Sequence, residues 1–61
     1  MCLSTVVKVT DGVSEEICSQ VSNAEVGDGK VTFTDIMGIT TEVEGTITSI
    51  DLVENKIYVT A

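Results

Sequence analysis

Apolar and polar positions alternate along short stretches of the chain, and Gly, Asp or Asn residues separate these stretches. Residues 3–10 predict a first strand whose alternate positions, from Leu3 to Val9, line one face. The following Asp11-Gly12 pair is the strongest two-residue signal for a β-hairpin. A second strand that begins at Val13 is therefore expected to fold back on the first.

The pattern weakens after this hairpin. Residues 18–24 are mostly polar, and residues 16–18 are open to two interpretations, a strand or a short turn of helix. Two glycines in the segment 27–30 permit positive φ angles, and residues 31–34 alternate again. The sequence therefore predicts a second hairpin around residues 27–30.

The second half of the chain predicts further strands joined by turns. Residues 35–38 are expected to form a turn that leads into a strand over residues 39–44. Gly45 then marks a bend or a bulge before a strand over residues 46–52, and Glu54-Asn55 marks another turn.

Alternation in the last two strands also assigns side chains to faces. It places Ile47 and Ile50 on opposite faces of their strand. In the final strand, over residues 56–60, it places Ile57 and Val59 on one face and Tyr58 on the other.

Composition supports the strand assignments, because Val, Ile and Thr together supply 25 of the 61 residues and Pro is absent. Five or six short strands predict an all-β fold, a small SH3-like, partly closed barrel that occupies residues 1–61 as a single domain. A chain this short buries only a marginal core. Pairing of two chains in a homodimer is therefore expected.

The net charge of −7 arises from ten acidic residues against three lysines. This charge disfavours polyanionic partners, so neither nucleic acid nor an anionic membrane surface is expected to bind. The first residues do not show the basic and apolar regions of a signal peptide, and no apolar stretch is long enough to span a bilayer. We therefore expect the protein to act in the cytoplasm.

The sequence offers little material for catalysis. It contains no His, Arg or Trp, so the usual general base and phosphate clamp are missing, and we expect no enzyme activity. The adjacent Glu15 and Glu16, and the pair Glu42 and Glu44, are expected to be solvated surface carboxylates, with a hard-cation site at Glu42 and Glu44 as the alternative. No catalytic or cofactor-binding residue is assigned.

The two cysteines have different expected roles. Cys18 is interpreted as a small hydrophobic residue, and its role is otherwise open. Cys2 is the candidate metal ligand, because removal of Met1 would place an α-amine and a thiol in one five-membered chelate. If Met1 stays, two nitrogens and the thiolate can still bind. Such donors suit Ni(II) or Cu(II) and also bind zinc, and two chains would complete the site.

The whole chain resembles the CooT family of small nickel-binding proteins. The resemblance is carried by Met1-Cys2, by Asp11-Gly12, by residues 27–31 and by the closing pattern over residues 45–59 with Ile50-Asp51-Leu52. It implies an SH3-like homodimer that binds one Ni(II) between subunits through Cys2. It also implies an accessory role in nickel supply to carbon monoxide dehydrogenase. Cys18 corresponds to no assigned family ligand.

Two other functions remain open at this stage. The barrel could be an acidic protein-interaction module in which Cys2 binds no metal. It could also bind RNA, as predicted for some relatives of the family, although the acidic composition argues against that reading.

Overall fold

A computed structural model describes residues 3–61, and these residues form six β-strands in one sheet and no helix. The strands are β1 Ser4–Thr10, β2 Val13–Gly27, β3 Lys30–Asp35, β4 Thr40–Glu44, β5 Thr46–Asp51 and β6 Lys56–Thr60. Their order in the sheet is β4-β3-β2-β1-β6-β5. The sheet is not closed, so β4 and β5 are its edges. The predicted all-β class is confirmed, and the sheet is compatible with a small, partly open barrel, where the sequence predicted a partly closed one.

Neighbouring strands are antiparallel with one exception, the parallel pair formed by β1 and β6. Residues 3–61 contain nothing that could cross a membrane as a helix.

The predicted hairpin turns are confirmed. Asp11 and Gly12 have φ angles of 51° and 79°, which is the backbone of a type I′ turn, and they join β1 to β2. Gly29 has a φ angle of 70° in the turn that joins β2 to β3. Local residue chemistry therefore determines both hairpins.

The polar segment over residues 18–24 does not end the second strand, because β2 continues from Val13 to Gly27. The helical alternative for residues 16–18 is wrong for the same reason. Gln20 has a φ angle of 57°, and the pairing of β2 shifts register near this residue with both of its neighbours. Such β-bulges bend a strand and interrupt its alternation, which explains why the sequence pattern weakens there.

The core is built from side chains of five strands. Its buried residues are Val6, Val21, Val31, Phe33, Val43, Ile57 and Val59. In β1 the side chain that enters this core is Val6, which is 0% exposed. The face predicted from Leu3 to Val9 is therefore the opposite face of that strand, on which Val7 is also buried.

A second bulge changes the faces of β5. Ile47 pairs with Val59 and Ile50 pairs with Ile57, with a register shift between Ile47 and Ser49. Because Val59 and Ile57 both belong to the core, Ile47 and Ile50 lie on the same face, and the prediction that they lie on opposite faces is wrong. The prediction for β6 is confirmed, since Ile57 and Val59 are both buried.

Gly45 joins the two edge strands at the predicted bend. Its φ angle is 130°, and its N–H donates a 2.9 Å hydrogen bond to the carbonyl oxygen of Gly29. A Cβ atom at this position would lie 2.5 Å from the carbonyl oxygen of Thr60. Only glycine fits this close approach of three backbone segments.

The start of β1 and two turns lie at the same end of the sheet. Asp35 at the end of β3 is aligned with Val21, which pairs with Ser4. The neighbouring Thr5 is aligned with Lys56, which pairs with Asp51 at the end of β5.

Hydrogen bonds fasten both turns to this end. The N–H of Ile36 donates to the carbonyl oxygen of Gln20 over 3.1 Å, and the N–H of Thr5 donates to that of Asn55 over 2.8 Å. We call this end, formed by Ser4, Gln20 and the turns 36–39 and 52–55, the entry rim. The hairpin turns at residues 11–12 and 28–29 lie at the opposite end, because Gly29 is hydrogen-bonded to Gly45, which lies against Thr60, and Thr60 pairs with Val9 near the end of β1. We call this end the far rim.

Candidate functional site

The predicted metal ligand, Cys2, lies outside the described residues 3–61. In the sequence only Leu3 separates Cys2 from Ser4, the first residue of β1. Because β1 starts at the entry rim, this rim is the part of the described structure that is nearest in sequence to Cys2. The entry rim is therefore the described region from which the N-terminal segment continues.

The first turn of the entry rim is held by one carboxylate. Oδ1 of Asp35 accepts hydrogen bonds from the N–H groups of Met37, at 2.9 Å, and Ile39, at 3.0 Å. The carbonyl oxygen of Asp35 accepts a third, from Gly38. The turn consequently presents Ile36, Met37 and Ile39 to solvent with exposed fractions of 54%, 77% and 62%.

The second turn uses the same arrangement. Oδ1 of Asp51 accepts hydrogen bonds from the N–H groups of Val53, at 3.0 Å, and Glu54, at 2.9 Å. Leu52 and Val53 are exposed by 81% and 87%. Turns are usually polar, so two aspartate-anchored turns with apolar tips are unusual.

Most of the exposed apolar surface of residues 3–61 lies at this rim. Of their eight exposed large hydrophobic residues, six belong to the two turns or, as Ile50 does, to the adjoining end of β5, and the remaining two, Val13 and Val26, lie near the far rim. We call the six residues the apolar patch; they are Ile36, Met37, Ile39, Ile50, Leu52 and Val53. Sequence reasoning missed this patch, although apolar residues directly after Asp35 and Asp51 were its signal.

Cys18 projects from β2 and packs, half-buried, against the core. Burial raises the pKa of its thiol, the nearby Asp35 carboxylate raises it further, and a hydrogen bond with the Thr41 side chain partly lowers it. A thiol with a raised pKa is protonated at neutral pH, whereas metals bind the thiolate. This environment agrees with the interpretation of Cys18 as a small hydrophobic residue.

This pKa shift leads to a prediction for the Cys2→Ala variant, in which Cys18 is the remaining thiol. The rate of its alkylation by iodoacetamide should rise with pH to a midpoint above the ordinary pKa of 9.0, because the thiolate is the reactive form. In Thr41→Val the midpoint should move higher still. Unfolding in urea should return it to the ordinary value, and a folded-state midpoint at or below that value would contradict the assignment.

The carboxylates singled out from the sequence remain on the surface. Glu42 forms a 3.2 Å ion pair with Lys30, and Glu44 is aligned with the same lysine across the strand pair. Glu15 and Glu16 are exposed near the start of β2. Within residues 3–61, no three His, Cys, Asp or Glu side chains come close enough together to hold a metal ion.

These observations define a class of protein. It is a small β-sheet protein with an exposed apolar rim, and its candidate metal ligand is a cysteine that precedes the first strand in the sequence. Comparison with known families is more specific. The family model described as CO dehydrogenase accessory protein CooT matches residues 1–60, so the chain belongs to the CooT family. The predicted resemblance is thereby confirmed, and membership implies an accessory role for CO dehydrogenase rather than a catalytic one. Among curated proteins, none matches the chain.

Proposed function

We propose that the protein is a cytoplasmic homodimer that binds one Ni(II) between its subunits through Cys2 and supplies nickel to CO dehydrogenase. The observation that carries this proposal is the CooT family match over residues 1–60, a range that includes Cys2. Nickel is then carried for another protein, and Cys2 is the residue that binds it. The recipient is CO dehydrogenase or a protein of its maturation machinery.

The distribution of donor groups supports a ligand in the N-terminal segment. The thiol of Cys18 is half-buried and its pKa is raised, so it is a poor competitor for the metal. The carboxylate Glu42 is engaged with Lys30, and carboxylates suit hard cations better than nickel. The Cys2 thiolate with backbone or terminal nitrogen is the soft donor set that suits Ni(II).

One chain offers few such donors, which supports sharing of the metal. A single Cys2 with its neighbouring nitrogens gives two or three ligands, depending on whether Met1 is removed. Two chains that present their N-terminal segments to one ion can supply two thiolates together with nitrogens and complete a four-coordinate site. Metal binding and dimerisation would then stabilise each other.

The test is native mass spectrometry with one equivalent of Ni(II) per two chains. We expect one nickel per dimer in the wild type, loss of this species in Cys2→Ala, and its retention in the matched Cys18→Ala variant. The thiolate-to-nickel absorption band should disappear in the same variant only. Unchanged stoichiometric binding in Cys2→Ala would refute Cys2 as the ligand.

The proposal also predicts that the affinity for nickel decreases as the pH falls. The thiol and the α-amine have ordinary pKa values of about 8 to 8.5, so nickel must displace protons from them at neutral pH. Apparent affinity, measured by competition with a chelator, should fall by about tenfold per pH unit for each proton displaced. An affinity that does not change between pH 8 and pH 6 would contradict thiolate binding.

A further inference from the structure

We propose that the free edge of β4 binds an extended segment of a partner protein, which adds to the sheet as a further strand. The segment carries basic and apolar side chains at alternate positions. The inference goes beyond the proposed function, because strand addition at β4 requires neither Cys2 nor nickel.

The first argument is the free backbone of β4. This strand is one of the two edges of the sheet, and it pairs with β3 alone. Within residues 3–61, the backbone of residues 40–44 makes no hydrogen bond to any other backbone segment. An edge strand directs part of its N–H and carbonyl groups away from the sheet, and a strand from another chain can pair with them.

The second argument is the regularity of β4. Edge strands are commonly protected from pairing by lysine, proline or a β-bulge. The other edge, β5, has such a bulge between Ile47 and Ser49. β4 contains neither lysine nor proline, and all five of its residues keep an unbroken register with β3. Of the two edges, β4 is therefore the one along which another strand can pair regularly.

The third argument is charge. Glu42 and Glu44 lie on the exposed face of β4, and Glu25 of β2 lies on the same face, on the other side of β3. Lys30 is the only lysine in these three strands, and it forms the ion pair with Glu42. The face thus has more carboxylates than lysines. Lys or Arg side chains on an added strand would lie directly beside Glu42 and Glu44.

The same carboxylates disfavour a second copy of the chain as the occupant. Two β4 edges that pair antiparallel would set Glu42 and Glu44 of one copy against the same residues of the other. Like charges directly opposite each other destabilise a strand pair, and each chain carries a net charge of −7. The occupant that fits this edge is therefore a basic segment of a different protein.

The core-facing side of β4 determines the other positions of the segment. Val43 is buried on this side, and Thr41 is half-buried. Alternate side chains of an added strand point to the same side, where apolar ones would cover the edge of the core beside these two residues. In strand addition of this kind, main-chain hydrogen bonds supply the affinity and the alternate side chains supply the specificity.

The probe is a short synthetic peptide in which Lys and Val alternate, and its binding is followed by the amide NMR shifts of the full chain. The test variant is Glu42→Gln/Glu44→Gln. The charge-matched control is Glu15→Gln/Glu16→Gln, which removes two exposed carboxylates from β2. All four side chains are exposed, so circular dichroism should show that both variants fold.

We expect the peptide to shift the amide signals of residues 40–44. The β4 variant should weaken binding by at least about fivefold, and the β2 variant by less than about twofold. Methylated peptides test the backbone pairing. Methyl groups on the valine nitrogens and on the lysine nitrogens block opposite edges of the extended peptide, so one methylated peptide should lose binding and the other should keep it.

The inference is overturned if the unmethylated peptide does not bind, if the two methylation patterns have equal effects, or if both variants weaken binding equally. Shifts of residues 40–44 that depend on protein concentration without peptide would identify a second copy as the occupant and would also overturn it. Cys2→Ala should bind the peptide as the wild type does. Loss of nickel in that variant and loss of peptide binding in the β4 variant therefore report on the two proposals separately.

Discussion

Phe33→Ala should cause one of the largest losses of stability that a single substitution can cause in this protein. Phe33 is 1% exposed and is the largest of the fully buried side chains, and most of the other core residues are valines. Replacing a buried Phe with Ala costs about 3–5 kcal/mol, because burial is lost and a cavity remains. A folded chain of this length has about 3–9 kcal/mol of stability in total, so the loss removes at least about a third of it.

Urea denaturation followed by circular dichroism measures this effect. Val53→Ala is the matched control, because it also truncates an apolar side chain but at a position that is 87% exposed. We expect Val53→Ala to change the free energy of unfolding by less than about 0.5 kcal/mol. Equal stability of Phe33→Ala and the wild type would mean that the core is not assembled around Phe33.

Gly45→Ala should destabilise the protein by at least about 3 kcal/mol. At a φ angle of 130° any residue with a Cβ is strained. The added methyl group would also lie 2.5 Å from the carbonyl oxygen of Thr60 and 3.0 Å from its carbonyl carbon. Both contacts are with backbone atoms, so the connection between β4 and β5 would have to move away from β6.

Gly27→Ala provides the control for this change. A Cβ at Gly27 meets nothing closer than 3.8 Å, and its φ angle is not positive. We expect the free energy of unfolding of this variant to lie within about 1 kcal/mol of the wild-type value. If thermal unfolding showed that the two variants lose equal stability, the destabilisation would reflect a general sensitivity to glycine replacement rather than the close approach of Gly45 to Thr60.

The turns and the strand count were predictable because their causes are local. Asp11-Gly12 adopts two positive φ angles with little strain, and Gly45 tolerates a backbone conformation that other residues do not. Alternation correctly placed Ile57 and Val59 on one face of β6, which the structure shows to be the core face, because β6 contains no bulge.

The bulges were not predictable, because packing imposes them. Gln20 has a positive φ angle without being Gly, Asn or Asp, so nothing in its identity indicates a bend. The register shift between Ile47 and Ser49 in β5 likewise has no signal in the sequence, because no glycine lies at residues 47–49. Alternation alone assumes an unbroken strand and therefore gave the wrong face for Ile50.

The candidate site was only partly visible in the sequence. Position along the chain and the family resemblance singled out Cys2, and both are properties of the sequence. The entry rim could not be predicted without knowing the register of the strands, because that register aligns Asp35 with Ser4 through Val21. The environment of Cys18 could not be predicted either, because the residues that shift its pKa, Asp35 and Thr41, come from the separate strands β3 and β4.

The parallel pairing of β1 with β6 has a consequence for how the chain is made. During synthesis on the ribosome, β1 has only β2 beside it until residues 56–60 have emerged. Until then the nascent chain exposes the unpaired edge of β1. Pairing of β1 with β6 also closes a loop that contains most of the chain, and closing such a long loop slows folding. Because β6 lies between β1 and β5 and is translated last, an interior strand of the sheet is the last part to be added.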